Sequence, residues 1–156
     1  MAATSRRVAA DLVLWALRLV TAAALGVDAY VHADLAATYD SVTASISQGT
    51  LFRIEAAAAA LAALLLIVTG RRLLVWAFAF LVALAGIAAV LVYRYVDVGA
   101  FGPFPNMYEP IWFTEKTLSA VAEAVAAVTA LGGFLLLRHR RRTSHPGVGR
   151  TDPTRP

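Results

Sequence analysis

The chain contains no cysteine among its 156 residues and has little charge, with only 15% Asp, Glu, Lys or Arg. The first absence excludes disulfide bonds, thiol redox chemistry and cysteine-ligated clusters. The low charge goes together with a hydrophobic share of 60% and a mean hydropathy of +0.68. These values exclude an ordinary soluble domain, in which about 45–50% of residues are apolar. No motif of an enzyme class is present in the sequence, so a non-catalytic role is favoured and the question of enzymatic activity stays open.

Long apolar stretches dominate the sequence, each close to the ~20 residues that cross a bilayer as a helix. They predict an all-α fold, an up-down bundle of four transmembrane helices in one domain over residues 1–142. Asp11 and Arg18 interrupt the first stretch, which argues for a retained helix and against a cleaved signal peptide. A tail rich in Pro, Gly, Thr and Arg, residues 143–156, is predicted to be disordered. The predicted spans are residues 8–31, 51–69, 73–93 and 116–137.

The distribution of charge predicts an orientation in the membrane. Short loops rich in Arg stay in the cytoplasm, so the arginines that flank the spans predict a bacterial plasma-membrane protein with both termini inside. The net charge of +4 lies in these flanks and in the tail, which favours anionic lipid headgroups as partners over nucleic acid. The lipid contacts are expected at Arg138, Arg140, Arg141 and Arg142.

Two longer connections are predicted on the opposite, outer side. In the first, Thr50 is predicted to cap the second helix. The second, residues 96–114, combines Gly and Pro turns with aromatic side chains that favour the membrane interface, so we expect it to fold back over the mouth of the bundle near Tyr108. Trp76, near an end of the third span, is predicted to lie in an aromatic belt at the interface.

Charged residues inside the spans are the best pointers to a site. At about 100° per residue, Asp28 and His32 share one face of the first helix with Asp11, Arg18 and Thr21, and this polar stripe must face the bundle. Ionisable groups within a membrane pair with one another or mark functional sites. They are expected to meet in the outer half of the bundle. The candidate cluster is Asp28, His32, Arg53, Glu55, Arg94, Tyr108 and Glu123.

Several interpretations of this cluster remain open. One is a purely structural network in which Arg53 and Arg94 are ion-pair partners of the acids. Another is a binding site for a small ligand, a headgroup or a quinone-like ring. A proton or ion pathway is a further alternative. A metal site is another, with Asp28 and His32 at i,i+4 completed by Glu55 and Glu123. The spacing of Glu55 and Glu123 from the following arginines also indicates a duplication, two parallel helical hairpins.

Two stretches, ISQGTLFRIE at residues 46–55 and YRYVDVGAFGPFPNMYEP at residues 93–110, resemble those of small actinobacterial four-helix membrane proteins of unknown function. The LRLV at residues 17–20 is similar to the opening of DoxX-like membrane proteins, some of which are subunits of quinone-linked oxidoreductases. That resemblance makes a subunit of such an oxidoreductase an alternative role for this chain. The chain has DAYVH at residues 28–32, where the DoxX-like proteins are expected to have Gly-Xaa-Xaa-Lys. The resemblance therefore assigns no role to any residue of this chain.

The sequence therefore predicts an accessory or binding protein, with a quinone-linked oxidoreductase subunit as the first alternative and a small oligomeric transporter as the second. Cofactors are not predicted, and a membrane partner or a second copy of the chain is an open alternative.

Overall fold

The computed structural model describes residues 2–143, and within them it contains four α-helices and no β-strand. The predicted four-helix bundle is confirmed. All four helices are long and apolar enough to cross a membrane. They extend beyond the predicted spans because their polar ends remain helical. The predicted tail, residues 143–156, lies outside the described residues except for Thr143, which ends the last helix. The helices are α1 (Ala2–Ala36), α2 (Gln48–Thr69), α3 (Leu73–Tyr95) and α4 (Thr114–Thr143).

The helices run up and down, and each packs against its neighbours in sequence while α1 also packs against α4. Ser47, not the predicted Thr50, caps α2, because its hydroxyl accepts a hydrogen bond from the backbone N–H of Thr50 at 3.0 Å. Only residues 70–72 separate α2 from α3. We call the end of the bundle with this turn the basic end, and the end with the connections 37–47 and 96–113 the loop end.

Small residues allow the helices to approach closely. Apolar side chains do not drive helices together in lipid, so close packing of small residues takes that role. Large apolar side chains instead cover the outer surface of the bundle. The fully buried alanines are Ala59, Ala62, Ala79, Ala83, Ala126 and Ala130.

Trp76 is fully buried, so its predicted place in an interfacial belt is wrong. Its ring lies against Gly133 of α4, where a methyl group would overlap it. Its indole N–H donates to the carbonyl of Gly70 at 2.7 Å and so satisfies a backbone group at the end of α2. Trp76 therefore joins three helices at the basic end.

Arginine side chains form hydrogen bonds and an ion pair between the helices at the basic end. Arg18 donates from α1 to the carbonyl of Ile67, one of the last carbonyls of α2, which have no partner within their own helix. Arg140 pairs with Asp11 at 2.6 Å, and Arg141 donates to the carbonyl of Arg71 at 2.7 Å. Part of the predicted lipid-binding cluster is thus engaged within the bundle, while Arg138 and Arg142 are exposed.

The two connections at the loop end contact each other. The backbone N–H of Ile46 donates to the carbonyl of Pro103 at 3.1 Å. Gly99 and Gly102 adopt positive φ angles of 66° and 57°, a conformation that favours glycine. The carboxylate of Asp97 accepts from the amide of Asn106 at 3.0 Å. These turns fold residues 96–113 back onto the bundle, as their Gly and Pro content predicts.

Candidate ligand and metal site at the loop end

Four polar side chains from α1 and α4 meet in the interior at the loop end. We call Asp28, His32, Ser119 and Glu123 the acidic cluster. Asp28 and Glu123 are 0% exposed, and His32 and Ser119 are also buried. Asp28 and His32 lie four residues apart on α1, and Ser119 and Glu123 lie four residues apart on α4. The two side chains on each helix therefore project from one face. The facing stripes of α1 and α4 place all four together.

Hydrogen bonds within the acidic cluster use only part of its capacity. The hydroxyl of Ser119 lies 2.8 Å from Asp28 Oδ1 and 3.4 Å from Glu123 Oε1. His32 Nδ1 lies 2.9 Å from the same Asp28 oxygen. The second oxygen of each carboxylate, Asp28 Oδ2 and Glu123 Oε2, is buried and has no hydrogen-bond partner. A buried carboxylate oxygen without a partner is costly, so this arrangement calls for a further group.

Gly86 of α3 makes room for the carboxyl group of Glu123. A Cβ at Gly86 would overlap Glu123 Oε1 and lie 2.8 Å from its Cδ. The glutamate therefore packs directly against the backbone of α3. Neither the role of Gly86 nor the hydrogen bonds of Ser119 were predicted. α3 has no polar side chain at this depth, and Gly86 contributes only by lacking a side chain.

A cavity of about 350 Å³ lies next to the acidic cluster. His32 and Ser119 line it together with Glu55, whose Oε1 is buried without a hydrogen-bond partner. The remaining walls are largely aliphatic and aromatic. Met107 and Glu109 from the long connection contribute to the lining. The lining residues from α2 and α3 include Leu51, Phe52, Ile54, Ala85, Ala89 and Val90.

Three of the candidate residues lie apart from the cluster. Arg53 forms a two-pronged ion pair with the exposed Asp40, with both N–O distances 2.7 Å. Arg94 lies over the rings of Tyr95 and Trp112, at 5.0 and 5.6 Å from their centroids, and its Nε has no hydrogen-bond partner. Tyr108 is 38% exposed and does not line the cavity, although its neighbours in sequence do.

The ion-pair network, which was one of the open interpretations of the cluster, is not formed among the described side chains. Among the side chains that the structure describes, no salt bridge joins Arg53 or Arg94 to Asp28, Glu55 or Glu123. Sequence spacing fixes the face of a helix on which a side chain lies, but not the direction in which a long side chain near the helix end extends. Arg53 finds its partner in the adjacent connection, and Arg94 turns toward the aromatic loop.

Two groups outside the membrane-spanning segments have shifted pKa values. Burial raises the pKa of the Tyr39 hydroxyl, and the negative charges of Glu109 and Glu115 raise it further, so this hydroxyl at the cavity wall stays a hydrogen-bond donor. The guanidinium of Arg53 lowers the pKa of the Asp40 carboxyl through its hydrogen bonds.

Comparisons with protein-family models, with curated proteins and with solved structures find no match for this chain. The two resemblances noted in the sequence therefore stay predictions, and the function is argued from the residues alone.

Proposed function

We propose that this chain is a multi-pass binding protein of a bacterial plasma membrane, and that the loop-end cavity holds a small amphiphilic molecule. The observation that carries this proposal is the cavity itself, which measures about 350 Å³ and has largely apolar walls with a few polar side chains among its lining. Ligand pockets are commonly about 300–1,000 Å³, with mostly apolar linings and a few polar groups that fix orientation.

The polar groups specify the kind of head group. Glu55 and Glu109 line the cavity, and Glu55 Oε1 is buried without a donor. Lys116 also lines the cavity, but its amine already donates to the backbone carbonyls of Glu109 and Ile111. The surplus of acceptors favours a head group that donates hydrogen bonds, either a protonated amine or a ring hydroxyl.

A quinone-linked role is the second candidate. A ring bearing two hydroxyl groups meets the same demand for donors and suits a cavity of this size, which supports a subunit that binds a reduced quinone. The Tyr39 hydroxyl and the His32 imidazole, both in the lining, are the groups that would contact such a ring.

A transport function has less support. Below the acidic cluster, toward the basic end, Leu25, Leu66 and Trp76 are all 0% exposed and fill the interior. A path across the membrane would have to pass these side chains. The cavity is thus better suited to hold a ligand than to pass one through.

Binding can be measured by native mass spectrometry of the full chain in detergent, after incubation with dodecylamine, decylquinol or lauric acid. We expect one of the first two to bind and lauric acid not to bind, because the acids repel its carboxylate. Ala89→Phe, which fills the cavity, should abolish binding, whereas Ala88→Phe, on the exposed face of the same helix, should leave it unchanged. Equal binding in both variants, or no binding of either donor amphiphile, would rule the proposal out.

The proposed orientation has both termini in the cytoplasm. It is supported by the gathering of basic residues at one end, where Arg141 of α4 meets Arg71 of the α2–α3 turn. Since the chain has no cysteine, single cysteines give a clean label. In intact cells, an impermeant maleimide should label Asn106→Cys and not Arg72→Cys. Labelling of Arg72→Cys from outside would overturn this orientation.

A further inference from the structure

We propose that Asp28, His32 and Glu123 form a binding site for one divalent transition-metal cation. One ligand atom from each of these three residues lies within 4.8 Å of the others, and all three residues are buried. This inference concerns the acidic cluster and goes beyond the proposed binding of an amphiphile, although His32 and Ser119 of the cluster also line the adjacent cavity.

The donor set selects the kind of metal. Two carboxylate oxygens and one imidazole nitrogen suit zinc and related first-row ions, which accept mixed nitrogen and oxygen ligands. Calcium prefers six to eight oxygen ligands and magnesium keeps most of its waters, so a dry site with an imidazole suits neither. Zn²⁺ binds most nitrogen and oxygen sites more tightly than Mn²⁺ or Fe²⁺ and is the appropriate probe.

The hydrogen bonds leave one oxygen of each carboxylate available. Ser119 holds one oxygen of Asp28 at 2.8 Å and lies 3.4 Å from one oxygen of Glu123. The remaining oxygens, Asp28 Oδ2 and Glu123 Oε2, are buried without partners. Ligand carboxylates are typically oriented by outer hydrogen bonds of this kind, which hold the free oxygen toward the metal. Ser119 thus has the place of an orienting residue and not of a ligand.

The charge balance points the same way. Among the described side chains, the acidic cluster contains no lysine or arginine, and its only basic group is His32. Two ionised carboxylates buried without a cation would carry a large desolvation cost, which a divalent ion offsets. Three protein ligands leave a coordination position open, as in catalytic zinc sites. His32 and Ser119 line the cavity, so that position is reached from the cavity side.

The test measures Zn²⁺ binding to the purified full chain in detergent by isothermal titration calorimetry. The chain has three histidines, so His139→Ala and His145→Ala are introduced first to remove the other imidazoles. In this background we expect one Zn²⁺ per chain. Asp28→Asn and Glu123→Gln should each weaken binding by more than about 10- to 100-fold, the loss that changes to outer hydrogen-bonding partners alone produce. Asp40→Asn, which removes an acid at the same end of the bundle but outside the cluster, should bind as the background does.

A second measurement keeps the proposal testable even if a variant fails to fold. Co²⁺ added to the same background should give the visible absorption of a bound, low-symmetry ion, and X-ray absorption on the zinc form should show one imidazole with oxygen ligands. Absence of Zn²⁺ and Co²⁺ binding would overturn the proposal, as would unchanged binding in folded Asp28→Asn and Glu123→Gln. A zinc spectrum without an imidazole ligand would also overturn it.

Discussion

Gly86→Ala tests whether the carboxyl group of Glu123 occupies the space beside α3. Gly86 is buried, and a methyl group there would overlap Glu123 Oε1 and approach Cδ at 2.8 Å. The glutamate side chain would have to leave its position near Ser119, or α3 and α4 would have to separate. The substitution therefore perturbs the acidic cluster without changing any of its residues.

The expected magnitude combines two opposing effects. Alanine is favoured over glycine in a helix interior by about 1 kcal/mol. Overpacking a close-packed interior costs about 1–3 kcal/mol. Gly86→Ala should thus lower the free energy of unfolding by up to about 2 kcal/mol. In a Glu123→Ala background the obstacle is gone, so the same substitution should stabilise the protein by up to about 1 kcal/mol. The change of sign corresponds to a coupling energy of about 1–3 kcal/mol between the two positions.

Reversible unfolding in mixed detergent–SDS micelles, followed by far-UV circular dichroism, measures these differences. Gly26→Ala is the matched control, because Gly26 is also helical but a Cβ there has no atom within 4 Å. It should have the same small stabilising effect in both backgrounds. If Gly86→Ala destabilises the Glu123→Ala background as much as the original protein, the carboxyl group does not lie against α3 and the described geometry of the cluster is refuted.

Three further predictions concern the scaffold. Trp76→Phe removes the donor to the carbonyl of Gly70, so it should lower the free energy of unfolding by about 1–3 kcal/mol; an unchanged midpoint in the same SDS titration would contradict this bond. Thr21→Val removes the hydroxyl contact from α1 to α4, whose oxygens are 2.8 Å apart, and should cost about 0.5–1.5 kcal/mol; a stabilised variant would show that the contact contributes nothing. The pKa of Asp40 is lowered in the folded state by Arg53, so its contribution is present above about pH 4 and is lost as pH falls further. Asp40→Asn should therefore flatten the loss of stability between neutral and acidic pH, and an identical pH profile in the variant would argue against the pair.

Local patterns account for what could be predicted. The number of helices follows from apolar length, and the buried face of α1 follows from the helical period that brings Thr21, Asp28 and His32 to one side. The meeting of Asp28 with Glu123 also follows, because a polar stripe on one helix must face a polar stripe on another. These features depend on residues within one helix and on the cost of exposing polar groups to lipid.

Features that depend on three-dimensional fit could not be predicted. Trp76 is a residue type typical of interfacial anchors but is buried, because Gly133 on the neighbouring α4 leaves space for its ring. Arg53 and Arg94 lie near helix ends, where a long side chain reaches either the bundle or a connection. Whether the side chain contacts the bundle or the connection depends on the conformation of the loop, which the periodicity of the sequence does not predict.

The interface of α1 and α4 itself indicates why the acidic cluster is better explained as a site than as a scaffold. Deeper in the same interface, the hydroxyl of Thr21 donates to the hydroxyl of Thr129, which in turn donates to the backbone carbonyl of Val125, so neutral groups join the two helices. Such a pair fixes the register of two helices at little desolvation cost. Asp28 and Glu123 are costlier to bury, and each keeps an oxygen without a partner. Register alone does not require that cost, whereas a bound cation would use both free oxygens.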